Sequence, residues 1–262
     1  MILQDIINIK RKIIEGRKKK LPFAQLVKLV PSYPGISIKK NIEKNGFGII
    51  AEVKKSSPSA GILKKRYQPE KIAKIYEKYG VSGISVLTCE PYFLGNISHL
   101  KKVREKVKLP ILQKDFIIDK YQIFEGKYYG ADCILLIVKI LSENNLHQFC
   151  KTVEQLKMEA IIEIHDKKDL KKALTIRNWR NKILGINNRN LKTLKTDIKV
   201  SFNLIKSIPK DKIMVISESG IKNSAEVKKL KENGIKGILI GETILKSRNI
   251  RRELQEIMSG NK

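Results

Sequence analysis

Eight short runs of β-branched and other apolar residues recur along this chain, each followed by a polar loop and a helix-like segment. They run from Ile49 to Val53, Ile84 to Leu87, Ile111 to Leu112, Ile134 to Val138, Ile161 to Ile164, Ile183 to Ile186, Met214 to Ile216 and Ile238 to Ile240. Their centres lie roughly 23 to 35 residues apart, the length of one strand–loop–helix–loop unit. Hydrophobicity within each run is continuous rather than alternating, so both faces of each strand should be buried, as in a parallel sheet. Eight such units in 262 residues favour a closed α/β architecture, the (β/α)8 TIM barrel, over an open doubly wound sheet. No Gly-x-Gly-x-x-Gly turn follows the first run, which argues further against a dinucleotide-binding sheet.

The intervening segments carry helical periodicity. Ile72, Ile75, Tyr76 and Tyr79 fall at i, i+3, i+4 and i+7, while Asn223 or Ser224 starts a helix that Gly234 ends. About 47 residues precede the first strand, more than a bare barrel needs. Ile2 to Arg17 reads as an amphipathic helix, Pro22 to Val30 as a second, and the stretch Pro31 to Gly35 breaks the chain. The expectation is a single domain over residues 1–262, with residues 1–47 as a helical N-terminal extension covering one end of the barrel.

Composition narrows the function classes. A hydrophobic share of 42% is ample for a packed core, and no run is long and uncharged enough for a membrane span. The N-terminus mixes Ile with Asp5, Lys10, Arg11 and Glu15, unlike a secretory leader, so a cytoplasmic protein is expected. Cys89, Cys133 and Cys150 are sparse and odd in number, which suits reduced thiols. His99, His147 and His165 lack metal-ligand spacing, so no metal site is expected. The net charge of +28 suggests a polyanion partner, but the lysines are scattered through nearly every segment with little interleaved aromatic content. That pattern disfavours nucleic acid as the main partner and leaves an anionic small molecule, drawn in by the overall field.

In a barrel of this kind the chemistry sits at the C-terminal ends of the strands. Those ends are rich in charge: Glu52 and Lys54, Lys114 and Asp115, Glu163, Asn187 and Arg189, then Glu218 and Ser219. Glu52 and Lys54, two residues apart, share one side of their strand. An internal ion-pair network and a catalytic cluster both fit this convergence. After the seventh and eighth runs, Gly220 and Gly241 each stand between a strand and a helix, where close backbone approach and free amides suit a phosphate group.

Several stretches together resemble the indole-3-glycerol-phosphate synthase family. They are Ile49–Ile50–Ala51–Glu52–Val53–Lys54 with Ser56–Ser57–Pro58–Ser59, then Ser85–Val86–Leu87–Thr88 with Phe93 and Gly95, and Pro110–Ile111–Leu112–Gln113–Lys114–Asp115–Phe116. Ile162–Glu163–Ile164–His165, Gly185–Ile186–Asn187–Asn188–Arg189–Asn190–Leu191 and Ser217–Glu218–Ser219–Gly220–Ile221 continue the likeness in order over nearly the whole chain. The resemblance implies conversion of 1-(2-carboxyphenylamino)-1-deoxyribulose 5-phosphate to indole-3-glycerol phosphate, with loss of CO2 and water and without a metal or organic cofactor. It implies that Lys114 polarises and protonates the ketone, that Glu52, Glu163 and Lys54 carry the later proton transfers, and that Lys54 holds the substrate carboxylate. Asn187 and Arg189 would orient substrate and glutamates, Ser57 would sit in a closing first loop, and Phe93 and Phe116 would flank the aromatic ring. Ser219 and Glu218 would meet the ribulose hydroxyls; Gly220, Gly241 and the amide of Glu242 would hold the phosphate, with the Glu242 carboxylate turned away.

Cys89 and Glu90 depart from the commoner family pattern, as does Gln113, and none of the implied catalytic positions is lost. The chain ends shortly after the eighth helix, so a single-function form is expected; a monomer is the expectation for its assembly. Two other readings are weighed: another phosphate-binding barrel enzyme of aromatic amino-acid biosynthesis, and a basic protein that binds RNA or a similar polyanion. The first would need a cysteine at the end of the first strand, as in phosphoribosylanthranilate isomerase, or would lack the two strand-end lysines, as in the tryptophan synthase α subunit. The second would show tight, steeply salt-dependent RNA binding.

Overall fold

The computed structural model describes residues 2–260; Met1, Asn261 and Lys262, which the single-domain expectation takes in, lie outside the described residues. Eight parallel strands close on themselves: β1 (Gly48–Val53), β2 (Gly83–Leu87), β3 (Ile111–Lys114), β4 (Cys133–Ile137), β5 (Glu159–Ile164), β6 (Lys182–Asn187), β7 (Val215–Glu218) and β8 (Gly237–Ile240). Each pairs with its sequence neighbours, and β8 returns to β1 through Gly48 opposite Gly237 and Ala51 opposite Ile240. The eight runs therefore fall where periodicity places them. The fourth ends one residue early, because Val138 begins a short 3-10 turn, and the seventh begins one residue late, at Val215.

Two apolar layers hold the barrel. Ile49, Ala51, Val53, Ile84, Val86, Ile111, Ile134 and Leu136 face outward and pack beneath the helices, while Ile50, Leu112, Leu135, Ile161, Ile183, Ile216 and Leu239 fill the interior. That is the period of two expected of strands buried on both faces. It decides which residues reach the mouth: inward positions continue Ile50 to Glu52, Leu112 to Lys114, Ile161 to Glu163 and Ile216 to Glu218.

The N-terminal extension contains three helices: α1 (Ile2–Lys20), α2 (Phe23–Leu29) and α3 (Ile38–Asn45). The third escapes a reading based on hydrophobic runs because it is only 8 residues long, yet its ends were legible: Ser37 caps it by accepting from Lys40 N, and Gly46 stops it at φ 70°. The extension serves both ends of the barrel rather than one. Ile38 and Ile42 of α3 join the interior cluster from the N-terminal end, where Asn41 Nδ2 donates to Ser82 O. The first helix instead lies against the C-terminal mouth, packing Ile6 onto Leu87, Cys89, Phe93 and Phe116.

Candidate active site

A cavity of about 360 Å³ opens at the C-terminal mouth. Of the residues singled out by sequence, Glu52, Lys54, Ser57, Phe93, Lys114, Phe116, Glu163, Asn187, Arg189, Ser219, Gly220, Gly241 and Glu242 all line it. Glu218 is the exception: fully buried, it lies beneath the floor and reaches the cavity only through Lys114.

Lys114, at the end of β3, is the centre of the floor. Its Nζ stands 2.9 Å from Glu163 Oε2 and 3.0 Å from Glu218 Oε2. Burial alone would lower its pKa, but Glu163, Glu218 and Glu52 outweigh that cost and hold Lys114 firmly as an ammonium. The two carboxylates respond differently. Burial pushes both toward the protonated form; for Glu163 the attraction of Lys114, then of His165, with hydrogen bonds from Lys114 and Asn187, reverses the balance and holds it below the usual carboxylate range. The amide orientation agrees, since Asn187 Oδ1 already accepts from Arg189 N at 3.0 Å and its amide hydrogens are left for Glu163. Glu218, with burial unopposed by enough positive charge and Glu163 beside it, is pushed up to about 7. One ammonium balances one carboxylate, and the second is pushed toward its protonated form.

The Glu218 carboxylate fits because β6 carries a glycine, Gly185, where that side chain lies against it. A Cβ on Gly185 would overlap Glu218 Oε1 and come within 2.8 Å of Ile161 Cγ2. A second pair stands across the mouth, where Lys54 Nζ lies 2.5 Å from Glu52 Oε1. Gly241 makes room for it, since a Cβ there would sit 2.6 Å from the same Glu52 oxygen.

The wall beside α1 is apolar. Phe93 and Phe116 face each other with ring centroids 6.2 Å apart, and Leu3 and Ile6 complete the wall. Leu3 and Ile6 went unassigned from sequence, although their i, i+3 spacing on an amphipathic helix marks one face. Buried charge seats this helix: Lys10 Nζ lies 2.9 Å from both Asp115 Oδ2 and Glu90 Oε2, and Arg17 bridges Glu90 to Glu125. The unusual Glu90 is thereby explained as the shared partner of two cations on α1.

The opposite end is built from the segments after β7 and β8. Ser219 and Gly220 adopt φ 66° and 76°, and the former is a left-handed conformation uncommon for serine. Glu242 opens the short helix Glu242–Lys246. Its carboxylate is held by Lys246 Nζ at 2.7 Å and Arg189 Nη2 at 3.1 Å. Burial would raise its pKa, but Lys246, then Lys54 and Arg189, keep it below the usual range. Arg189 also donates to Ser59 Oγ at 3.0 Å and Leu194 O at 2.9 Å, tying the loop after β1 to this end. Ser57 and Ser59 belong to that loop, which folds into a hairpin pairing Ser56 with Ile62. Among the described residues no group of three or more His, Cys, Asp or Glu side chains could hold a metal ion, and no helix is long and apolar enough to cross a membrane.

Comparison with known proteins matches residues 3–257 to the indole-3-glycerol phosphate synthase family model. Curated relatives of that name include one from Caldanaerobacter subterraneus, 43% identical with 94% of each chain covered. Others are from Carboxydothermus hydrogenoformans (39% identical, 99% of this chain and 100% of the relative) and Acetivibrio thermocellus (42%, 98% of each). Among solved structures, 3-hexulose-6-phosphate synthase from Salmonella typhimurium aligns with a TM-score of 0.65, covering 82% of this chain and 98% of that one at 15% identity, a likeness of fold alone.

Proposed function

Because this chain belongs to the indole-3-glycerol phosphate synthase family, we propose that it closes the indole ring of 1-(2-carboxyphenylamino)-1-deoxyribulose 5-phosphate, releasing CO2 and water. The observation that carries this reading is the Lys114 ammonium on the cavity floor, facing the Glu52–Lys54 pair, with an aromatic wall at one end and the glycine-containing segments at the other. The carboxyphenyl ring lies against Phe93, Phe116 and Ile6, and its carboxylate meets Lys54. The phosphate is held by backbone at Gly220, Gly241 and Glu242, and the ribulose hydroxyls by Ser219.

Ring closure forms a bond from the carboxyl-bearing ring carbon to the ketone carbon, and the carbonyl oxygen takes a proton from Lys114. Breaking the bond to the carboxylate returns an electron pair to the ring and frees CO2. The hydroxyl then leaves as water, taking a proton, while the neighbouring carbon gives one up. Glu163, kept as an anion, and the Glu52–Lys54 pair carry these transfers. Glu218 acts from below by accepting from the Lys114 ammonium and aiming it. The three cysteines are buried free thiols, which suits a reducing compartment, and we place the enzyme in the cytoplasm.

The test follows the fluorescence of the indole product in purified protein. Wild type should turn over, and Lys114→Ala should lose turnover by at least about a hundredfold while keeping its circular dichroism. A folded wild-type protein that binds the substrate yet forms no indole product would overturn the reading.

A further inference from the structure

His165 stands one step past β5 on the same side as Glu163, and it does not line the cavity. Its side chain is only 5% exposed. Nε2 lies 3.3 Å from Glu163 Oε1, and Nδ1 lies 3.5 Å from Asp169 Oδ2. Neither ring nitrogen makes a directed hydrogen bond among the described residues, so each meets its carboxylate by close contact alone. Asp169 belongs to the helix Lys167–Ala173 that follows β5, and its Oδ2 also accepts from the His165 backbone N–H at 3.0 Å. Lys139, in the loop after β4, approaches the same oxygen at 3.4 Å and also pairs with Asp166.

A continuous line thus runs from the cavity floor to the surface: Lys114, Glu163, His165, Asp169, Lys139. Basic and acidic groups alternate along it. Each oxygen of Glu163 faces a different basic group, Lys114 at Oε2 and His165 at Oε1, so the plane of its carboxylate is set from two sides. Asp169 fixes the imidazole in turn, by contact with the ring and with the backbone of the same residue. A ring that served only to fill space would not need a carboxylate at each nitrogen, and leucine or phenylalanine would fill that space without burying two polar atoms.

We infer that His165 is a positioning residue for the ring-closing site: with Asp169 behind it, the imidazole sets Nε2 against Glu163 Oε1 and holds that carboxylate in line for proton transfer. This assignment deepens the functional reading above and rests on it for its kinetic consequence. Its geometric content stands apart, because the contact is present without substrate.

The experiment therefore has two arms on the full chain. In the first, the ligand-free wild-type protein is examined for imidazole N–H resonances, with the three histidines told apart by single substitutions. His165 should give a slowly exchanging Nε2–H signal that vanishes in His165→Gln and moves in Asp169→Asn. Its absence from the wild type overturns the inference, whether or not the protein turns over. In the second, His165→Gln and Asp169→Asn are compared with wild type for kcat, KM and the pH profile of kcat. Both variants should lower kcat roughly tenfold with KM within about twofold, the pattern of a misaligned catalytic group. The acid limb of kcat should move to higher pH, since Glu163 loses a group that favours its anion. A variant that loses stability while keeping kcat and the acid limb shows a purely structural histidine, and overturns the inference. A wild type without turnover strikes the functional reading instead, and the first arm still decides the contact.

Discussion

Replacing Glu218 by Gln isolates the second carboxylate beside Lys114. The side chain is fully buried, its Oε1 lacks a hydrogen-bond partner among the described residues, and its pKa stands at about 7 against an ordinary 4.5. A carboxyl whose pKa is raised on folding favours the native state while protonated. That contribution is complete below the unfolded value near 4.5 and is lost as pH rises through about 7. The difference is roughly 2.5 pH units, and at about 1.4 kcal/mol per unit the wild type should lose about 3 kcal/mol of stability across that window from this group. Glutamine has nearly the shape of the protonated acid and does not titrate. The Lys114 ammonium keeps its partner in Glu163, so the variant remains balanced.

Urea unfolding of both proteins at a series of pH values from about 5 to 8 measures the effect. Wild type and Glu218→Gln should be closest near pH 5, and the variant should gain on wild type by about 2.5 kcal/mol toward pH 8. Groups remote from Glu218 cancel in the difference, whereas Glu163 and Glu218 titrate as one pair and the change belongs to both. Parallel stability curves across the whole range would refute the placement of a proton on Glu218, and with it the one-ammonium, one-carboxylate balance.

Other perturbations test other parts of the site. Lys10→Met should cost about 3–5 kcal/mol in urea unfolding, because buried Asp115 loses its cation while Glu90 keeps only Arg17, and a loss under about 1 kcal/mol would count against that seat for α1. Gly241→Ala should destabilise by about 1–3 kcal/mol and lower kcat/KM, since the new Cβ lies 2.6 Å from Glu52 Oε1; a crystal structure with Glu52 unmoved would contradict the stated cause. Arg189→Lys keeps the charge but cannot reach Ser59, Leu194 and Glu242 together, so KM should rise roughly tenfold, and an unchanged KM would show that the fork is dispensable. Added salt should lower kcat/KM while leaving kcat nearly constant, because a net charge of +28 steers an anionic substrate only at low ionic strength; a flat dependence would remove steering from the account.

Strand parity explains why so much of the site was readable in advance. Once Ile50, Leu112, Ile161 and Ile216 are assigned to the interior, residues two further along must face inward at the mouth, which selects Glu52, Lys114, Glu163 and Glu218. Parity says nothing about depth, however. Glu218 was expected at the substrate, and it lies beneath Lys114 because Gly185 on the neighbouring strand leaves a hollow that the carboxylate fills. The seat of α3 and the apolar wall from α1 were lost for another reason. Their contacts join residues far apart in sequence, such as Ser37 with Glu159 and Lys10 with Asp115, and no local pattern encodes those pairings.

The distribution of charge ties these points together. The chain has 54 Lys and Arg against 26 Asp and Glu, so carboxylates are the scarce partner. Several of them are nevertheless spent at one end of the barrel: Glu52, Glu163, Glu218, Glu242 and Asp115. Each buried cation there has a carboxylate within ion-pair distance, which offsets the desolvation that would otherwise drive Lys10 and Lys114 to give up their protons. A site lined with unpaired lysines would hold an anion tightly, but its desolvated ammoniums would shed their protons and it would have no carboxylate base. Pairing each ammonium with a carboxylate keeps both an acid and a base at the reacting atoms, and leaves attraction of the anionic substrate to the lysine-rich remainder of the surface.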